Sequence, residues 1–125
     1  MFTVTEDHRF TWPVKVQLPS ADKPGEFEVQ TFTGHFRLLP KERANELAGA
    51  MTDAATRGAT AIGEQEMVQI REVLIGWGDD VVDADKTPVP FSAEALDVAC
   101  SIEPVRTAIA VAYAEAAAGG ARRGN

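Results

Sequence analysis

Phe10, Trp12, Val14, Val16 and Leu18 alternate with Thr11, Pro13, Lys15 and Gln17 in a strict period of two. Successive side chains of a strand point to opposite faces, so this spacing predicts a half-buried strand. Pro13 has no N–H to give to a ladder, which places the strand at a sheet edge. Lys23-Pro24-Gly25-Glu26 puts Pro and Gly at the second and third positions of a type II turn. The return strand, Phe27 to Leu39, changes phase. Phe27 and Val29 fall on odd positions, and Phe32, Phe36 and Leu38 on even ones. A bulge near Thr31-Phe32, or two separate strands, would absorb that slip.

Beyond Pro40 the apolar period becomes helical. Pro40 opens a helix, where its missing N–H costs nothing. Ala44, Leu47, Ala48, Met51 and Ala55 form its stripe, and Gly58 ends it. A second helix is predicted from Gly63 to Trp77, with Met67, Ile70, Leu74 and Trp77 on one side and Val73 widening it. Ser92 is a good N-cap, with Glu94 in the first turn where the helix dipole favours an acid. Leu96, Ala99 and Cys100 form that helix's apolar side. Pro104 starts the last helix, whose face carries Val105, Ile109, Ala112, Tyr113 and Ala116. Gly119-Gly120 stops it. A lone hairpin is marginal in water, so it must pack on the helices. The expected fold is α+β: an N-terminal antiparallel β-hairpin or small sheet followed by about four packed α-helices. It forms one domain over residues 1–118, with a flexible, dispensable Gly/Arg tail over 119–125.

A chain of 125 residues can bury a core of useful size without staples. Its hydrophobic share of 45% against 25% charged residues is that of a globular domain. No apolar run approaches the ~18 residues of a membrane span. Residues 1–7 contain two acids and no apolar core of a signal peptide. The single cysteine, Cys100, excludes an internal disulfide framework and fits a reducing compartment. Charge is unevenly placed. Residues 1–43 carry six basic and six acidic side chains, and residues 44–125 carry six and thirteen, which accounts for the whole net charge of −7. Between Ala59 and Glu103 ten acids face only Arg71 and Lys86. Such a surface repels phosphate backbones and argues against nucleic-acid binding.

Catalytic chemistry finds little purchase. His8 and His35 are far apart, and neither has a partner at metal-ligand spacing. Cys100 has no nearby histidine to activate it and reads as a small buried hydrophobe. Gly76-Trp77-Gly78 follows a helix and precedes two aspartates, so it is no phosphate loop. Asp79, Asp80, Asp83 and Asp85 could offer oxygens to calcium. Their spacing breaks the EF-hand rule, however, at Val81 and at Ala84, where a Gly is needed. The expectation is a protein without cofactor or metal that is not an enzyme.

The most distinctive stretch is Leu74 to Leu96, LIGWGDDVVDADKTPVPFSAEAL. Trp77 and Phe91 stand at the two ends of an acidic loop. Trp77 continues a helical stripe, and Phe91 sits before the Ser92 cap, placed to staple onto Leu96. Both are therefore expected to pack, holding the loop as a rigid platform. Trp12, Trp77, Asp79, Asp80, Asp83 and Phe91 are the candidate partner-binding residues, aromatics at a loop rim being favoured interface anchors. Replacing Asp79 or Asp80 by Asn is expected to cost little stability and to weaken binding. The partner surface is expected on the hairpin, the first two helices and the acidic loop.

This block, Gly76-Trp77, acidic loop, Pro88-Val89-Pro90-Phe91-Ser92-Ala93-Glu94-Ala95-Leu96, is followed by Pro104 and by Ala112-Tyr113. It resembles phage tail assembly chaperones of long-tailed bacteriophages and prophages, over residues 64 to 118. The chain departs from that pattern at Ala84-Asp85-Lys86-Thr87, where such loops often carry a glycine. The resemblance implies a non-enzymatic assembly chaperone of the host cytoplasm, absent from the mature virion. Such a protein binds the tape measure protein, keeps its apolar helical segments dispersed, helps recruit tail tube subunits, and can self-associate. The other reading is a minor structural component of a tail or neck.

Overall fold

The computed structural model describes residues 1–119, so residues 120–125 of the expected tail lie outside the described residues. Two long strands, β1 (Arg9–Pro19) and β2 (Phe27–Arg37), form the expected hairpin. Its turn is the one the sequence encodes: Gly25 takes φ 81°, and Glu26 N–H donates to Lys23 C=O at 3.2 Å. A short third strand, β3 (Leu74–Trp77), pairs antiparallel with β2, giving the order β1-β2-β3. Four helices complete an α+β fold: α1 (Lys41–Arg57), α2 (Ala59–Val73), α3 (Ala93–Ala99) and α4 (Glu103–Ala117).

The hairpin register is unbroken from Arg9↔Arg37 to Pro19↔Phe27, so the expected bulge near Thr31-Phe32 is absent. The phase slip has a different cause. Even positions of both strands face the core, and Phe27 and Val29 point outward, 63% and 61% exposed. The irregularity lies instead between β2 and β3, at His35/Phe36, where β3 carries one residue more than β2. β1 is an edge strand, as Pro13 requires. Opposite Pro13, Thr33 directs its backbone toward the β3 side, and the proline nitrogen lies at a position that donates nothing to β2.

Gly58 alone separates α1 from α2. Its φ of 104° with ψ of −178° is a region essentially closed to residues with a Cβ. α2 thus begins at Ala59, four residues earlier than expected, and Gly63 is inside it. α2 also ends earlier. Leu74 N–H still donates to Ile70 C=O, but Leu74 already has φ −95° and ψ 107°, and the chain passes directly into β3. Trp77 is therefore a strand residue, not the last turn of a helix. In α1 the buried residues are Leu47 and Ala54, with Met51 half-buried, so the inward stripe is rotated from the Ala44, Ala48 and Ala55 positions.

The core gathers Val14, Val16 and Phe36 from the sheet with Ile70, Val73, Leu74 and Trp77. Leu96 and Cys100, and Ala108, Ile109 and Ala112 of α4, close it. The small residues of α4 let it lie close against β1. Tyr113 ties that helix to the end of the hairpin, its hydroxyl oxygen accepting from Leu39 N–H at 2.9 Å. Arg43 of α1 pairs with Glu72 at the end of α2, and Arg37 of β2 donates to Glu72 C=O at 2.8 Å. No helix among the described residues is long and apolar enough to cross a membrane.

Candidate functional site

Trp77 is the hub of the region. It lies opposite Gly34 on β2, and Gly34 lies opposite Trp12 on β1, so the two tryptophans share one row on the inward face. A Cβ on Gly34 would stand 2.6 Å from the Phe36 ring, so only glycine leaves room for that ring. The Trp77 indole is 8% exposed. It meets Phe91 edge-on at 4.8 Å between centroids and Phe32 edge-on at 6.2 Å. Its N–H donates to Val89 C=O at 2.7 Å. The two ends of the acidic loop are thus clasped together by a ring contact and a hydrogen bond. Phe91 and Trp12 are half-buried against the core. Ser92 caps α3 by accepting from Ala95 N–H at 3.0 Å.

Between the aromatics the loop is a small hairpin of its own. Val89 N–H donates to Val81 C=O at 2.8 Å and Asp83 N–H to Thr87 C=O at 2.9 Å, with Val82 opposite Pro88. At its tip Lys86 N–H closes on Asp83 C=O at 3.0 Å, and Lys86 takes φ 64°. That is the left-handed position at which glycine is favoured, and it answers the missing glycine: the turn forms, with Lys86 carrying the strain.

The aspartates do different work. Asp83 points inward to its own turn, its Oδ1 accepting from Asp85 N–H at 2.9 Å and Thr87 N–H at 3.0 Å. Asp80 reaches back to β2, where its carboxylate accepts from Thr33 N–H at 2.9 Å and from the Thr33 hydroxyl at 2.9 Å. Gly78 N–H donates to Thr33 C=O at 3.0 Å beside it. Asp80 therefore continues the ladder where β3 stops. Desolvation opposes its ionisation, but the amide and hydroxyl of Thr33 together outweigh that and hold its carboxyl below the usual range. Its expected equivalence to Asp79 fails on this account: both lie exposed in the turn after β3, but Asp80 is tied to Thr33 of β2. Among the described residues, no group of three or more His, Cys, Asp and Glu is placed to hold a metal.

Beside this loop lies an apolar cleft of about 280 Å³. Val16, Leu18 and Phe32 of the hairpin, with the polar Gln30 and Thr31, form one wall, and Trp77, Val81 and Val82 another. Ala99, Ile102 and Val105 form the third, with Asp80 at the rim. Its lining comes from the hairpin, the acidic loop and the α3–α4 connection, and α1 and α2 contribute none of it. Ile102 and Val82 remain 47% and 41% exposed. Sequence reasoning missed both. The available signal was an isolated apolar residue outside any stripe: Val82 within an acidic loop, and Ile102 between Ser101 and Glu103. Cys100, next to Ala99, is buried, and desolvation chiefly pushes its thiol up to about 11, which disfavours the thiolate. No protein-family model, curated protein or solved structure matches this chain.

Proposed function

We propose that this protein is a non-enzymatic assembly chaperone that holds an apolar helical segment of a tape measure protein during phage tail morphogenesis. In this reading it acts in the host cytoplasm and helps bring tail tube subunits to the client. The observation that carries the reading is the apolar cleft beside an acidic loop whose ends are clasped together. The loop's aromatic ends are spent on packing, so the recognition surface is the cleft and the exposed aspartates rather than the Trp77 and Phe91 rings. An apolar wall offers burial to a client's apolar face, and an anionic rim suits basic flanks while keeping many such coats apart. The resemblance over residues 64 to 118 supplies the identity of the client.

Co-expression with the tape measure protein tests this. The wild-type chain should keep the client in the supernatant, and Ile102→Asp, a change at an exposed cleft position, should release it to the pellet. A client equally insoluble with and without the wild-type chain would end the chaperone reading.

A further inference from the structure

The sheet has two open edges, and the chain guards them differently. At the Pro13↔Thr33 pair both backbones point away from the hairpin ladder. The odd positions of β1 and β2 therefore direct their N–H and C=O groups outward. On β1 that edge is blunted by Pro13 and Pro19, which have no N–H to give. On β2 the ladder to β3 covers only Gly34 to Phe36, and Gly78 and Asp80 extend it to Thr33. Phe27, Val29 and Thr31 lie beyond. Their outward backbone groups meet no partner among the described residues, and no proline guards them. The Phe27 and Val29 side chains are uncovered as well, on the outer face of the sheet. On the inner side Gln30 and Thr31 line the apolar cleft together with Val82 and Ile102.

We propose that this edge takes an extended, basic segment of a partner protein as a further strand, antiparallel to β2 as β3 is. Backbone groups at strand spacing recognise another backbone, and pockets for alternate side chains add selectivity. One side of the added strand rests in the cleft, and the other lies beside Phe27 and Val29. Charge selects the occupant. Glu26 and Glu28 flank the start of the edge, and Asp79 and Asp85 stand in the loop after β3. None of these four carboxylates is paired with a cation among the described residues. A second copy of this chain would bring the same acids face to face, whereas lysines set between apolar residues would meet them.

A short capped peptide alternating valine with lysine and threonine is the probe, titrated into the full chain. It should bind, and Val29→Pro should weaken it about tenfold by removing one outward donor. Pro13 already stands at the matching kind of position on β1, so the hairpin should survive, and a thermal melt checks it. No binding by the wild type, or an unchanged affinity of the variant, overturns the proposal. Two further measurements use the wild type alone. N-methylation of one alternate set of peptide amides should abolish binding, and of the other set should spare it. Amide exchange at Val29 and Thr31, fast in the free chain, should slow with the peptide bound. Equal binding by both methylated peptides, or unchanged exchange, overturns strand addition. Glutamate in place of the peptide's lysines should weaken it by about tenfold or more, and equal binding overturns the basic partner. A wild type that dimerises on sedimentation, with the dimer lost in Val29→Pro, makes a second copy the occupant and also overturns the proposal. None of these readouts uses the tape measure protein, so their failure is distinct from failure of the chaperone reading.

Discussion

At the scale of single residues, the acidic loop separates side chains that its sequence presents as equivalent. Asp80 is held ionised by Thr33, so its folded-state pKa is depressed. A depressed carboxyl contributes stability that is complete above the unfolded pKa and is lost as pH falls through the folded value. Asp80→Asn should therefore cost about 1 kcal/mol near neutrality, the carboxylate being well exposed. The gap from the wild type should close in acid, below the ordinary value of 3.8. Urea melts of both proteins from neutral pH downward would show it; a pH-independent gap would deny the role. Lys86, at φ 64°, gives the opposite sign. Lys86→Gly should stabilise by roughly 0.5–1 kcal/mol, relieving the left-handed strain less the entropy of a freer unfolded chain. A loss of stability on thermal melting would mean that the turn needs the lysine side chain.

Among the elements, the hairpin, α1, α3 and α4 were legible because each carries a local signal that tertiary packing does not override. These signals are the alternation from Phe10 to Leu18, Pro-Gly at 24–25, Pro40 and Gly58 around α1, Ser92 before α3 and Pro104 in the first turn of α4. The α2–β3 junction was not legible. Met67, Ile70, Leu74 and Trp77 keep helical spacing across a point where the backbone turns extended, because the core receives side chains from both sides of it. What decides the switch is long-range: β3 completes the β2 ladder, opposite Gly34, where no side chain intervenes. The cleft was illegible for the same reason, its walls coming from segments far apart in sequence. Gly34→Ala tests that junction. Its Cβ would be 2.6 Å from Phe36 and 3.1 Å from Leu74, both fully buried, so a loss of about 1–3 kcal/mol is expected. Unchanged stability in urea would show that the two rows can part freely.

On the scale of the whole molecule, net charge and apolar exposure act together. The formal charge of −7 resides wholly in residues 44–125, and the acidic loop puts part of it at the rim of the cleft. On the proposed reading, binding of a helical client there should have a charged part and an apolar part that respond differently to salt. Raising salt from about 0.05 to 0.5 M shortens the Debye length from roughly 14 to 4 Å, which screens the exposed Asp79 and Asp85 from basic flanks of the client but leaves apolar burial intact. Wild-type affinity should therefore fall several-fold and then level off. Asp79→Asn should lose part of the salt dependence while keeping the high-salt plateau, since that side chain holds nothing in the fold. Ile102→Asp should lower the plateau itself. Trp77→Ala is the wrong probe for this purpose: removing a buried indole and its bond to Val89 should cost roughly 3–5 kcal/mol and unclasp the loop, so lost binding would report folding. Titrations of the purified tape measure segment at both salts decide the matter. A salt-independent affinity would reduce the aspartates to a device for keeping copies apart, and an unchanged plateau for Ile102→Asp would move the client away from the cleft.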